Sequence, residues 1–368
     1  MAEEYDAQTQ RQTDPPEPRE ALEEIQEVLE ETPKALEEIP EAPEETREGP
    51  QEGREEKKKE PRGRRIAKRI TQVTAGFLVV SITATEAMMF ILFGRTDPVL
   101  DRPFAILDWA REQAYTAASL EFMSGGNKLE GYYIVPQDPA ALILLVHGVR
   151  ASSDTLEPVV KYFVENSYAV MTFDGTASGR SEGTKTVGLQ QQRYDIQAAL
   201  DYIRNDPTLA PLTLVLLGHS AGGYGVAVEA ERSGAAAAVC VSGFEAPLNT
   251  MYFWASRYVG VLTDVEYPFL WLRERAVKGE EANASGSEAL CGSGVPSMVI
   301  HGSDDSVIAR DISLYQALAE KDAPQVRRML VSDPRFSDHA NILISEDGLN
   351  YNVLDSILLF LDKQVYRR

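Results

Sequence analysis

Apolar and polar positions divide the chain into three regimes. Through residue 60 the apolar residues are scattered among Glu and Pro with no sustained period. Residues 70–95 are almost continuously apolar. From about residue 118, short apolar runs alternate with runs spaced for helices. The segment "SLEFMSGGNKLEGYYIVP" (119–136) alternates on both sides of a Gly-Gly-Asn turn, which predicts a hairpin. Six further runs predict strands: "ALILLVHG" (141–148), "YAVMTFDG" (168–175), "LTLVLLG" (212–218), "AAAAVCVSG" (235–243), "PSMVIHG" (296–302) and "RRMLVSD" (327–333). Between several of them lie helical patterns such as "LEPVVKYFVEN" (156–166) and "QQQRYDIQAALDYIRND" (190–206). Near-continuous apolar strands alternating with helices predict an α/β fold, a parallel sheet covered on both faces. Functional residues on such sheets gather at the carboxyl ends of the strands.

The segment "ITQVTAGFLVVSITATEAMMFILFGR" (70–95) holds about 24 residues without Lys or Arg, enough to cross ~30 Å of hydrocarbon. Residues 70–94 are therefore expected to form one transmembrane helix. A cleaved leader fits poorly, because the segment is too long and follows a long tail. The alternative is a core helix of the domain that follows. Glu86 interrupts the span, and is expected to be protonated or to face another helix together with Thr83. The divisions that follow are 1–69, a disordered acidic tail ending in a basic cluster; 70–94, the transmembrane helix; 95–117, a juxtamembrane segment with a helix capped by Asp101 that is expected to pack on the catalytic domain or lie at the membrane surface; and 118–368, the catalytic domain.

Charge sharpens this picture. The formal net charge is −21. Residues 1–56 carry 20 acidic and 5 basic side chains. Residues 57–69, "KKKEPRGRRIAKR", carry 8 basic and 1 acidic. An acidic, Pro-rich, aromatic-poor tail cannot bury enough surface to fold, so it is expected to be disordered. Its echo "ALEEI" (21–25 and 35–39) suggests a protein partner, against the plainer reading of a solvated spacer. The basic cluster beside the span predicts a cytoplasmic N-terminus and a catalytic domain on the outer side. The rest of the chain is acidic and lacks the basic footprint that nucleic acid requires. The two cysteines, Cys240 and Cys291, form no metal-ligand spacing with histidine, and neither metal nor cofactor is expected. Cys240, in an apolar run, is expected to be a buried free thiol.

Candidate chemistry starts at "LVLLGHSAGG" (214–223). Gly218-His219-Ser220-Ala221-Gly222 is a G-x-S-x-G turn at the junction of a predicted strand and the helix "AGGYGVAVEAERSG". Its small glycines, Gly218 and Gly222, let the backbone pass closely and hold Ser220 on a sharp corner. A serine hydroxyl needs a base, and the base an orienting acid. Only four histidines exist: His147, His219, His301 and His339. His219 adjoins the serine and is expected to point away from it. His147 and His301 precede glycines at strand ends. His339, in a loop after the last strand, is the expected general base. The acid is expected at the end of the preceding strand, where "VIHGSDDSVIA" offers Asp304 and Asp305; Asp305 is preferred. Backbone N–H groups of Val149 and Ala221 are expected to form the oxyanion hole.

Together, "HGVR", "FDGTASGRSEG", "GHSAGGYG", "IHGSDDSV" and "DHAN" resemble the α/β-hydrolase superfamily, close to bacterial membrane-anchored serine aminopeptidase-like and monoacylglycerol lipase-like hydrolases. The resemblance runs from about residue 119 to 362. It implies a doubly wound, mostly parallel eight-stranded sheet with a helical cap, here at about 248–294. One departure is Ala177, where many relatives have glycine. The cap segment is rich in aromatics: Tyr252, Phe253, Trp254, Tyr258, Tyr267, Phe269 and Trp271. They are expected either to line an acyl site or simply to pack the cap.

Three readings result. The first is a membrane-anchored serine hydrolase of carboxylic or thio-esters, acting on a small ester or lipid-like substrate through an acyl-enzyme. The second is a peptidase or amidase with the same triad, with Glu245 a candidate to hold a substrate amine. The third is a silent membrane-tethered binding module.

Overall fold

The computed structural model describes residues 61–366. The acidic tail, with its expected disorder and its partner-binding echo, lies outside the described residues. The chain divides into two units between Thr74 and Ala75. Helix α1 (Arg62–Phe93) begins in the first unit. It starts eight residues before the expected position, so the basic residues from Arg62 to Arg69 form its first turns. Everything below belongs to the unit that begins at Ala75.

That unit is built on eight strands: β1 (Thr116–Ser124), β2 (Asn127–Val135), β3 (Leu142–Val146), β4 (Ala169–Phe173), β5 (Leu214–His219), β6 (Ala237–Val241), β7 (Ser297–Gly302) and β8 (Val326–Val331). Their order across the sheet is β1-β2-β4-β3-β5-β6-β7-β8. The hairpin β1–β2 and the β2–β4 pair are antiparallel; every other pairing is parallel. Crossovers run through α3 (Glu157–Glu165), α4 (Gln191–Asn205), α5 (Ala221–Ser233) and the helices between β6 and β7. All seven predicted strand regions, the hairpin counted as one, are present.

Strands β3 and β6 are apolar at every position because both faces are covered. Ile143 and Leu145 of β3 face one core with Val159, Phe163, Leu354 and Phe360. Leu142, Leu144 and Val146, with the alternate pleat, face the other core with Ile196, Leu200, Val226 and Ala230. The first core also takes α2 (Ile106–Glu112) and the final helix α9 (Tyr351–Val365).

The segment before β1 is part of this body. Phe104, Ile106, Leu107 and Ala110 are buried in the first core. Asp101 does not cap α2; the helix begins at Ile106 after Ala105, with no side-chain cap. Pro103 explains the delay, since it holds Arg102 out of helical conformations. Strand β1 likewise starts at Thr116, two residues ahead of the expected domain edge.

Between β6 and β7 stand α6 (Pro247–Val259), α7 (Leu262–Lys278) and α8 (Gly286–Ser293). They form the expected helical cap. The later part of α1 packs on it through one stripe, Ser81, Thr85, Met89 and Phe93, four residues apart. The opposite face, including Val79, Val80, Ile82 and Phe90, is exposed. Glu86 is paired with Arg273 of α7 at 2.7 Å, while Thr83, expected beside it, faces outward. A four-residue step keeps Ser81 and Thr85, not Thr83, on the docked face.

Candidate active site

Strand β5 ends in a corner that puts Ser220 at φ 56°, ψ −120°, a conformation that costs any non-glycine residue free energy. Close backbone packing maintains it. A Cβ on Gly218 would stand 2.3 Å from the Gly222 carbonyl oxygen. A Cβ on Gly222 would stand 2.4 Å from the Val146 carbonyl oxygen. The Ser220 N–H donates to the Val241 carbonyl at 2.8 Å, which ties the corner to β6. Helix α5 then begins at Ala221 and ends on left-handed Gly234, as its sequence predicts.

Three residues distant in sequence meet there. Ser220 Oγ lies 2.9 Å from His339 Nε2. His339 Nδ1 lies 2.9 and 3.0 Å from the two carboxylate oxygens of Asp305. With the imidazole proton on Nδ1 and donated to Asp305, Nε2 is left to accept the serine hydroxyl. Asp305 sits at the end of β7 and also accepts the N–H of Val307 at 3.1 Å and of Ile308 at 2.7 Å. Burial pushes its carboxyl up, but the His339 hydrogen bond and charge and the Ile308 N–H outweigh this and hold it below the usual range. Asp304 is exposed and accepts from Ser337 Oγ at 2.6 Å, fastening the histidine loop instead.

The candidate oxyanion donors flank the serine. Ala221 follows it at the start of α5 and is buried. Val149 lies on the loop after β3. That loop passes tightly against the serine, since a Cβ on Gly148 would stand 2.9 Å from Ser220 Cβ.

Two histidines acquire roles that sequence spacing did not reveal. His219, next to the serine, points away from it; its Nε2–H donates to the carbonyl of His339 at 2.8 Å. It thereby holds the loop that carries His339. Burial, then the neighbouring His339, pushes its pKa down to about 4, so it is neutral near pH 7. His147 Nε2 accepts the Gly175 N–H at 2.9 Å, which leaves the proton on Nδ1 to donate to the Gly148 carbonyl at 2.6 Å. It fixes the loop bearing Val149 to the end of β4. Both are backbone contacts across the fold, which no local motif encodes.

Behind the β3 loop, the segment after β4 is scaffolding. Asp174 accepts from Ser153 N and Oγ, both at 2.7 Å, and from Arg180 N at 2.8 Å. Ala177, which replaces the expected glycine, takes up the left-handed conformation itself at φ 61°. The loop keeps its shape at a cost of roughly 1–2 kcal/mol.

One wall of the site is apolar. Ala221 lies in a cluster with Met89 and Phe93 of α1, Phe244, Leu248 and Met251 at the cap's start, Leu270 of α7 and Ile308. Trp254 and Val149 pack against it. Of the seven cap aromatics, only Trp254 reaches this wall. Tyr252 packs edge-on against Tyr267, and Phe269 against Phe77. Tyr258 and Trp271 are exposed. Glu245, the candidate amine holder, is occupied by Ser285 and Ser287 at the start of α8. Cys240 is buried and Cys291 half-buried, and both are free thiols. Among the described residues no cluster of His, Cys, Asp or Glu suits a metal ion.

The fold has counterparts among solved structures. The esterase Pf2001 of Pyrococcus furiosus superposes with a TM-score of 0.55 over 73% of this chain and 98% of its own, at 16% identity. An α/β hydrolase of Vibrio vulnificus gives 0.51 over 70% of this chain and 87% of its own, at 15% identity. In sequence, residues 137–266 match the family described as serine aminopeptidase, S33. The chain has the α/β-hydrolase fold. Among curated relatives, the uncharacterised protein YfhR of Escherichia coli strain K12 is 29% identical over 264 residues, which is 68% of this chain and 84% of the relative.

Proposed function

We propose that this α/β-hydrolase is a membrane-anchored serine hydrolase that cleaves carboxylic or thio-esters through an acyl-enzyme on Ser220. The observation that carries the reading is the continuous Ser220–His339–Asp305 hydrogen-bonded chain at the mouth of an apolar wall. As the Ser220 oxygen attacks the ester carbonyl, its proton passes to His339 Nε2. Asp305 holds the tautomer and stabilises the resulting imidazolium. The N–H groups of Val149 and Ala221 receive the oxyanion. Collapse of the tetrahedral adduct expels the alcohol or thiol, which takes the proton back from His339. Water, deprotonated by the same imidazole, then releases the acid and regenerates the serine.

Ester substrates are favoured over amines because the wall is apolar and the Glu245 carboxylate is already engaged. The amidase reading draws its support from the aminopeptidase family match at 137–266. Anchoring rests on α1, which is long and apolar enough to cross a membrane and only 22% buried over its most apolar stretch. The basic cluster at its start favours a cytoplasmic N-terminus, with the catalytic unit on the other side.

The test is fluorophosphonate labelling of the full chain in detergent, beside Ser220→Ala and His339→Ala. Wild type is expected to label, and both variants to lose the label while remaining folded. A folded wild type that fails to label overturns the mechanism. Hydrolysis of matched ester and peptide substrates then separates the two readings, with faster ester turnover expected.

A further inference from the structure

The turn between α6 and α7 presents an apolar surface for which the described residues supply no cover. Tyr258, Val259, Val261, Leu262 and Val265 are all exposed there, Val261 to 77%. Soluble monomers seldom expose so continuous a patch without a partner for it.

The position of the turn says what that partner is. Helix α7 packs on α1 at three levels. The Phe269 ring meets the Phe77 ring edge-on at 5.8 Å. Ser81 Oγ donates to Glu266 at 3.0 Å. Arg273 donates to Glu86 at 2.7 Å. Residues 77–86 are the middle of the apolar segment 70–94, not its end. An element that touches them lies at the depth of the hydrocarbon whenever α1 spans a bilayer. The same contacts account for two polar residues of α1. Ser81 and Glu86 have their partners on the cap, as polar groups within a membrane require.

We infer that the α6–α7 turn is a second membrane-contact element, immersed beside α1, and that the site receives a bilayer-resident amphiphilic ester. This inference rests on the membrane-anchored hydrolase reading above. The apolar cluster of Met89, Phe93, Leu270 and Ala221 joins that depth to the serine corner and offers an acyl chain side chains to pack against. The chain of such a lipid then need not enter water on its way to Ser220.

The experiment places a nitroxide at Val261→Cys in the full chain, reconstituted into phosphatidylcholine vesicles, with Cys291→Ser as background. Val79→Cys on the outer face of α1 is the buried reference. Asp322→Cys, in the loop before β8 at the opposite end of the sheet, is the aqueous one. Relaxation by oxygen and by a water-soluble nickel complex reports depth. Position 261 is expected to match position 79: exposed to oxygen and shielded from nickel. If 261 is wet while 79 is dry, the inference falls and the membrane anchor stands. If both are wet, the anchor falls with it. A second arm uses the double variant Val261→Asp, Leu262→Asp. Hydrolysis of a long-chain ester carried in vesicles is expected to fall severalfold, with turnover of a water-soluble short-chain ester unchanged. Equal loss on both substrates, or loss on neither, overturns delivery from the bilayer.

Discussion

At the scale of single residues, the site is held by side chains that do not themselves react. His219 is the clearest. It donates one proton to the His339 carbonyl, and its surroundings, with a second histidine beside it, disfavour its charged form. Its pKa of about 4 in the folded protein lies below the ~6.5 of an unfolded histidine. The unfolded chain therefore binds more protons between these values, so stability is complete above pH ~6.5 and is lost as pH falls toward 4. His147 and His301 are also lowered by burial and add to the same slope. Denaturant titrations of wild type and His219→Gln at intervals from pH 7 to 4 test this. The variant is expected to lose part of the pH-dependent decline, about 2–3 kcal/mol of it. An unchanged slope would place the titration elsewhere. The glutamine can still donate to the His339 carbonyl, so fluorophosphonate labelling at pH 7 is expected to survive in part.

At the scale of elements, strand ends and corner glycines do the positioning. Gly222 packs so close to the β3 backbone that a methyl group must push α5 away from β3, because its nearest neighbour is a carbonyl and not a flexible side chain. Gly222→Ala is expected to cost more than about 3 kcal/mol and to abolish labelling, read by thermal unfolding and the same probe. The strands and the order serine, acid, histidine were legible in the sequence because each rests on a local pattern: a full apolar run, a glycine-flanked serine, a loop histidine. Asp305 was readable over Asp304 from its place past the strand end, and its side chain turns inward to His339 while that of Asp304 turns to Ser337. The His219 and His147 contacts were not legible. They join backbone groups brought together only by folding. The role of the cap aromatics stayed open in the sequence for a related reason. Composition marks a segment as apolar but not which side chains face the site, and there methionines, leucines and Phe244 do most of the lining.

For the whole molecule, the boundary of the folded unit lies well before the first strand. Sequence patterning placed the domain edge near Ala118, since the segment before it has only one short helical pattern. The structure buries Phe104, Ile106 and Leu107 under the sheet. Arg180 stacks on Phe104 at 3.9 Å and bonds to the Arg102 carbonyl. A chain begun at Ala118 exposes that core face and loses the first residues of β1. Relative to a chain begun at Arg95, it is expected to lose about 5 kcal/mol or more, from three large apolar side chains at about 1.5–3 kcal/mol each. Soluble yield and melting temperature of the two shortened forms in the same detergent check this. Equal stability would mean that the segment 95–117 docks without contributing.

The stripe Ser81, Thr85, Met89 and Phe93 has a mechanical consequence. Its upper members touch the cap and its lower members line the wall beside Ala221, so a single rigid rod spans both. A helix whose apolar length exceeds the local hydrocarbon thickness tilts to hide the excess. In the proposed setting, tilt swings Met89 and Phe93 relative to the serine corner. Lipid thickness then becomes an input to the shape of the acyl site, and the anchor serves as a gauge of the membrane in which the enzyme works.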